Sequence, residues 1–114
     1  MDKVEQLHQI KKDFIGCQKL LLAIGDSTRQ AIMIVLMENP CTTGLRVGEI
    51  TEKVHLSRPA VSHHLKILRD AEIIEMREEG TKNFYYINVS SDKFELLKSL
   101  VTHLDDLLKE FCKE

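Results

Sequence analysis

At 114 residues the chain has room for one domain with one hydrophobic core. A hydrophobic content of 43% and a charged content of 30% are ordinary for a globular protein. No apolar run reaches membrane-spanning length and "MDKVEQLHQIKKDF" has no secretion-signal core, so the expectation is a cytoplasmic protein with no membrane partner. The net charge of −2 argues against a uniformly basic surface, and three cysteines, an odd number, argue against a disulfide framework.

Residues 2 to about 23 read as a helix, with Ile10, Phe14, Cys17, Leu21 and Ile24 at four–three–four–three spacing. Gly25 ends it, and Ser27 with Gln30 reads as the capping box of a second helix over "STRQAIMIVLM". "ENPCTTG" is a loop, and "LRVGEITEKVHL" a short third helix with Val47, Ile50 and Val54 inward. "SRPAVSHHLKILRDA" is the fourth helix, with Ser57 as N-cap and Pro59 in the first turn, where its missing N–H is harmless.

The fourth helix is the informative one. At about 100° per residue, Val61, Leu65 and Leu68 share a face that Ala60, Ile67 and Ala71 widen. His64 falls inside that apolar arc and needs a hydrogen-bond partner. Its neighbour His63 turns to the other side, with Pro59, Ser62 and Lys66, and with Arg58 and Arg69 at the margin. Adjacent helical residues do not face each other, so the pair is not a chelate. From Lys53 to Arg69 there are four cations and no acid, whereas 70–79 carries five acids. Screening limits the reach of a charge to about 8–10 Å, so such a patch can bind phosphate on an acidic chain.

Beyond Ala71 the period changes from 3.6 to 2. "IIEMREEGTKNFYYINV" holds two strands around the loop "EEGTKN", and after "SSD" one long helix runs from about 93 to 112. That helix has two apolar seams. Phe94, Leu97, Val101, Leu104, Leu108 and Phe111 form one; Leu96, Leu100, His103 and Leu107 form the other. Two seams imply two contacts, one to the chain itself and one to a second copy.

The expected fold is mainly α with a small β-hairpin, a winged helix-turn-helix of order α-α-α-α-β-β-α. One domain spans 1–114, with dimerisation helices at 1–23 and 92–114, the helix-turn-helix at 46–71 and the wing at 73–89. The expected homodimer interface comprises Phe14, Cys17, Leu97, Leu100, Val101, His103, Leu104 and Leu107.

Four stretches carry a family resemblance: "GDSTRQAIMIVL", "LRVGEIT", "LSRPAVSHHLKILRDAEII" and the wing "EEGTKNFYYIN". Over about residues 20 to 90 the sequence resembles the ArsR/SmtB family of bacterial winged-helix repressors. The resemblance implies a homodimer that sits on a double-stranded DNA operator and leaves when an inducer binds. It places the base-reading face on Arg58, Pro59, Ser62 and His63, the same face that the helical wheel selects. Ser57, Lys66, Thr81 and Lys82 would hold the DNA backbone, while Arg77 has Glu75 and Glu79 as competitors for its charge. The sequence departs from the family at Glu72, where a helix-ending glycine is frequent.

The inducer is not legible. Arg46 and Gly48 stand where family sensors often place a Cys-x-Cys pair, and Phe94 where another family site has a histidine. His103 and Asp106 are the only metal-like remnant, so the expectation is no cofactor and no complete metal site. Cys17, Cys41 and Cys112 leave a thiol response as an alternative. No phosphate loop or nucleophile motif points to an enzyme. A winged helix used for protein–protein contact is the remaining alternative; the acid-free stretch 53–69 and the cationic wing tip favour DNA.

Overall fold

The computed structural model describes residues 2–111. Five helices and one hairpin follow in the order α1 (Lys3–Ile24), α2 (Ser27–Met37), α3 (Val47–Val54), α4 (Arg58–Asp70), β1 (Ile74–Glu79), β2 (Lys82–Ile87) and α5 (Lys93–Phe111). The chain divides into two compact units, Met1–Lys19 with Asp92–Glu114, and Leu20–Ser91. No single helix among the described residues is long and apolar enough to cross a membrane.

In the unit Leu20–Ser91, the core gathers Ile32, Ile50, Val61, Leu65, Leu68, Ile73 and Ile74, each less than 2% exposed. Burial of each such side chain contributes about 1.5–3 kcal/mol. Helix α2 starts one residue earlier in its cap than the sequence suggests. Asp26, not Ser27, is the N-cap, its carboxylate accepting from the Arg29 backbone N–H at 3.0 Å. Ser27 is already helical, and Gln30 donates instead to the Ile24 carbonyl at 2.7 Å. An ionised cap is favoured there because it meets the positive end of the helix dipole as well as an orphan N–H.

His55 ends α3 in the left-handed region at φ 57°, and Ser57 caps α4, its hydroxyl accepting from Ala60 N–H at 3.3 Å. This short turn sets α4 against α3. At its far end α4 closes in a Schellman motif: Ile73 N–H reaches Leu68 O at 3.0 Å and Glu72 N–H reaches Arg69 O at 2.9 Å. Glu72 takes φ 62°, so the helix ends as it would with glycine, with a carboxylate residue in the strained position.

The hairpin is tighter than the six-residue loop expected. Glu79 pairs with Lys82, leaving the two-residue turn Gly80-Thr81. Leu45 adds a bridge to the second strand through paired hydrogen bonds with Tyr85 of 2.8 and 2.7 Å. Gly44, at φ 67°, makes that approach possible, since a Cβ there would meet Phe84 Cβ and Tyr85 O at 3.1 Å. Arg77 is committed to the same junction, donating to Thr43 O at 3.0 Å and pairing with Glu79 at 3.4 Å, over the Phe84 and Tyr86 rings.

In the other unit, α5 meets the first part of α1. The buried row of α1 there is Ile10, Asp13 and Cys17, whereas Phe14 is 45% exposed. Asp13 fills a core position as a carboxylate. Its Oδ2 lies 2.6 Å from His103 Nδ1, and its Oδ1 accepts from Gln9 Nε2 at 3.0 Å. The two seams of α5 differ in burial at their centres, while Leu96 and His103 of one and two leucines of the other are half-buried. Leu100 and Leu107 are buried in the chain itself, while Phe94, Val101, Leu108 and Phe111 are exposed. Leu97 and Leu104 are half-buried.

Candidate nucleic-acid interface

The exposed face of α4 is built by exclusion. Val61, Leu65, Leu68 and Ala71 go inward, so Ser57, Arg58, Pro59, Ser62, His63, Lys66 and Arg69 are left outward. Every residue that sequence reasoning assigned to a DNA face is exposed, including Thr81 and Lys82 at the tip of the hairpin. The fold also brings two separate stretches together. Arg58, at the start of α4, lines one cleft of about 370 Å³ with Thr81 and Lys82 of the wing tip. Arg46, Val47, Gly48, Glu49, Glu52 and Asn83 line it too, so two acids of α3 share it with the cations. A second cleft, of about 410 Å³, places Ser62, Lys66 and Arg69 beside Asp70, Glu75 and Tyr85.

Arg58 is held against α3. A Cβ on Gly48 would come within 2.9 Å of the Arg58 guanidinium, so glycine leaves the space the side chain occupies. Glu49 accepts from Arg46 N–H at 3.0 Å, which spends part of its charge as a helix cap. The cleft thus collects the cations Arg46, Arg58 and Lys82 from three places in the chain. Arg46 and Asn83 were missed at the sequence level. Arg46 lies outside the acid-free stretch, and only the fold of α3 against the wing brings it to the site.

His63 is exposed and His64 is half-buried, with ring centroids 5.7 Å apart. His64 finds its hydrogen-bond partner in Arg29, whose Nη1 lies 3.2 Å from Nδ1. The two histidines therefore have different surroundings, one facing outward and one anchored to α2.

The residues expected at a dimer interface divide. Phe14 and Val101 are exposed, and Leu97, Leu104 and His103 half-buried. Cys17, Leu100 and Leu107, expected at the same interface, are buried within their own chain. Leu100 and Leu107 lie on the seam that packs inward, and the sequence could not rank two apolar seams. His103, one of the expected interface residues, keeps a third of its side chain exposed while its Nδ1 meets Asp13.

Among the described residues no group of three His, Cys, Asp or Glu side chains is placed to hold a metal ion. Burial pushes the Cys17 thiol above its ordinary pKa, Asp13 adds to the rise, and Lys93 offsets part of it. Cys17 is thus a protonated thiol with little nucleophilic character at neutral pH. Cys41 is half-buried and donates to Ile87 O at 3.4 Å. Cys112, named above as a thiol candidate, lies outside the described residues.

Residues 26–76 match the model of the bacterial regulatory protein, arsR family. The chain is 39% identical over 87 residues to an uncharacterized HTH-type transcriptional regulator of Methanocaldococcus jannaschii, covering 76% of this chain and 83% of that one. The chain belongs to the arsR family of bacterial regulatory proteins. This arsR-family member is also 37% identical over 68 residues to the transcriptional repressor SdpR of Bacillus subtilis, covering 60% of this chain and 71% of that one. Among solved structures, it matches reduced HlyU from Vibrio cholerae with a TM-score of 0.64 and 26% identity, over 92% of this chain and 98% of that one. The matched segment 26–76 runs from the cap of α2 through α3 and α4 into β1, the part that carries the cationic face.

Proposed function

We propose that this arsR-family protein is a cytoplasmic transcriptional repressor that binds a palindromic operator as a homodimer. The observation that carries the reading is the meeting of Arg58, on the exposed face of α4, with Thr81 and Lys82 of the wing tip at one cleft. A helix of this width enters the major groove, where Arg58 can take guanine O6 and N7 in a bidentate contact. Ser62 and His63 reach neighbouring base edges. Ser57, Lys66, Thr81 and Lys82 hold phosphates, and Arg46 joins them. Phosphate contacts set position and base contacts set sequence. The regulatory names of the relatives support the same reading.

The dimer rests on the outward seam of α5, Phe94, Leu97, Val101, Leu104, Leu108 and Phe111, with Phe14 and Leu7 on α1. A continuous apolar stripe of this length needs a cover, and a second copy supplies the same stripe by two-fold symmetry. Two α4 helices then read two half-sites, centred about one helical turn apart or a multiple of it.

The test is selection of duplexes from random DNA by the purified chain, followed by a salt titration. The expected result is an imperfect palindrome bound with a log–log salt slope of about −0.9 for each phosphate neutralised. Recovery of no enriched sequence, or of single non-palindromic sites bound by monomers, would refute it.

A further inference from the structure

We infer that Arg29, on α2, is a positioning residue for operator recognition, acting through His64 to hold the reading face of α4. The inference rests on the DNA-binding reading above. Arg29 touches nothing that would contact DNA, yet each nitrogen of its guanidinium has a partner within the chain. Nε donates to Ala23 O at 2.7 Å, Nη2 donates to Leu22 O at 3.0 Å, and Nη1 faces His64 Nδ1 at 3.2 Å. Asp26 Oδ2 lies 4.0 Å from Nη1, and the Arg29 side chain is 14% exposed. The two carbonyls belong to the last turn of α1, where no intrahelical donor remains for them. One rigid fork therefore ties the end of α1 and the start of α2 to the middle of α4.

The chemistry of the contact is one-directional. A guanidinium has five donors and no acceptor, so His64 Nδ1 must accept, and the imidazole carries its hydrogen on Nε2. That fixes the ring of His64 and its tautomer. His63, the next residue, presents the reading side of the same helical turn, its ring centroid 5.7 Å from that of His64. Val61, Leu65 and Leu68 already fix the depth of α4. Apolar packing leaves small rotations about the helix axis cheap, whereas a charge-assisted hydrogen bond with fixed direction does not. A bidentate base contact needs that angular precision, and a phosphate contact needs it far less.

The experiment compares affinity for the duplex recovered by selection with affinity for a random duplex of equal length. Arg29→Lys keeps the charge but loses the fork. His64→Leu keeps the apolar packing but loses the acceptor. His64→Asn restores an acceptor near the Nδ1 position. Arg29→Lys and His64→Leu are expected to lower the selected-to-random ratio about tenfold, the scale of one lost base contact, with random-duplex affinity nearly unchanged. His64→Asn is expected to stay near wild type, and the double variant Arg29→Lys/His64→Leu to lose no more than either single. A purely structural role would lower both affinities alike, through the folded fraction, and leave the ratio intact. An unchanged ratio in both single variants, or additive losses in the double, overturns the inference while leaving the DNA reading standing. A wild-type chain that prefers no duplex overturns both.

Discussion

Replacing His103 by alanine tests how the carboxylate of Asp13 is kept in a core position. Asp13 is 7% exposed; its Oδ2 lies 2.6 Å from His103 Nδ1 and its Oδ1 accepts from Gln9 Nε2 at 3.0 Å. His103→Ala leaves Oδ2 without its donor. Removing one member of a fully buried pair costs about 3–5 kcal/mol, because the other charge stays in place. The His103 side chain is 33% exposed, so water can enter the space it leaves. The unpaired-group penalty of about 1–3 kcal/mol is then the better guide, and a loss near 2 kcal/mol is expected. With a urea m-value of about 1–2 kcal/mol/M for a chain of this size, the midpoint should fall by roughly 1–2 M. The assay is far-UV circular dichroism in urea at one fixed protein concentration, since association would shift the midpoint by mass action. Asp13→Leu/His103→Leu removes both partners and should be less damaging than His103→Ala alone. A loss under about 0.5 kcal/mol for His103→Ala, within the range of ordinary surface changes, would refute the reasoning. So would a double variant less stable than the single.

Adjacent residues on α5 should behave differently: Leu100→Glu places a carboxylate at a site 2% exposed and should unfold the protein, whereas Val101→Glu, at 56% exposed, should give folded monomers in sedimentation. If Leu100→Glu yields the folded monomer, the seams are reversed. Arg58→Ala should cost about 1–3 kcal/mol on the selected duplex and relax base preference, while Lys82→Ala should weaken all duplexes alike and lower the salt slope; equal losses on both duplexes for Arg58→Ala would make it a phosphate contact. In a Cys112→Ser background, a disulfide reagent should modify Cys41 first and Cys17 only on unfolding, because burial holds the Cys17 thiol protonated; fast stoichiometric labelling of Cys17 in the native protein would contradict this. The Asp26 cap lowers its own pKa, chiefly through the Arg29 N–H, so its stabilisation is complete above the unfolded value of about 3.8 and is lost as pH falls through the folded pKa. Asp26→Asn keeps an accepting oxygen without titrating, and should flatten the melting temperature below pH 4; an unaltered acid slope would assign it to other carboxylates.

What the sequence determined by itself is what short-range periodicity can encode. The apolar spacing of Val61, Leu65 and Leu68 leaves only one face of α4 for solvent, so the polar set Arg58, Ser62, His63 and Lys66 is legible from spacing alone. Ser57 and Pro59 mark the start of that helix for local reasons, and the change of period after Ala71 marks the wing. Tertiary structure decided whatever depends on a partner far along the chain. Leu100 and Val101 both sit on apolar rows, and only packing in the unit with α1 shows which row is covered. Asp13 looks like a surface acid until His103, 90 positions away, meets it. Arg29 looks like a solvated cation until the carbonyls that end α1 and the imidazole of His64 converge on it. Apolar burial is set by residue type and spacing, which a linear pattern records. A directional polar contact is set by where two distant backbones come to lie, which no local pattern contains.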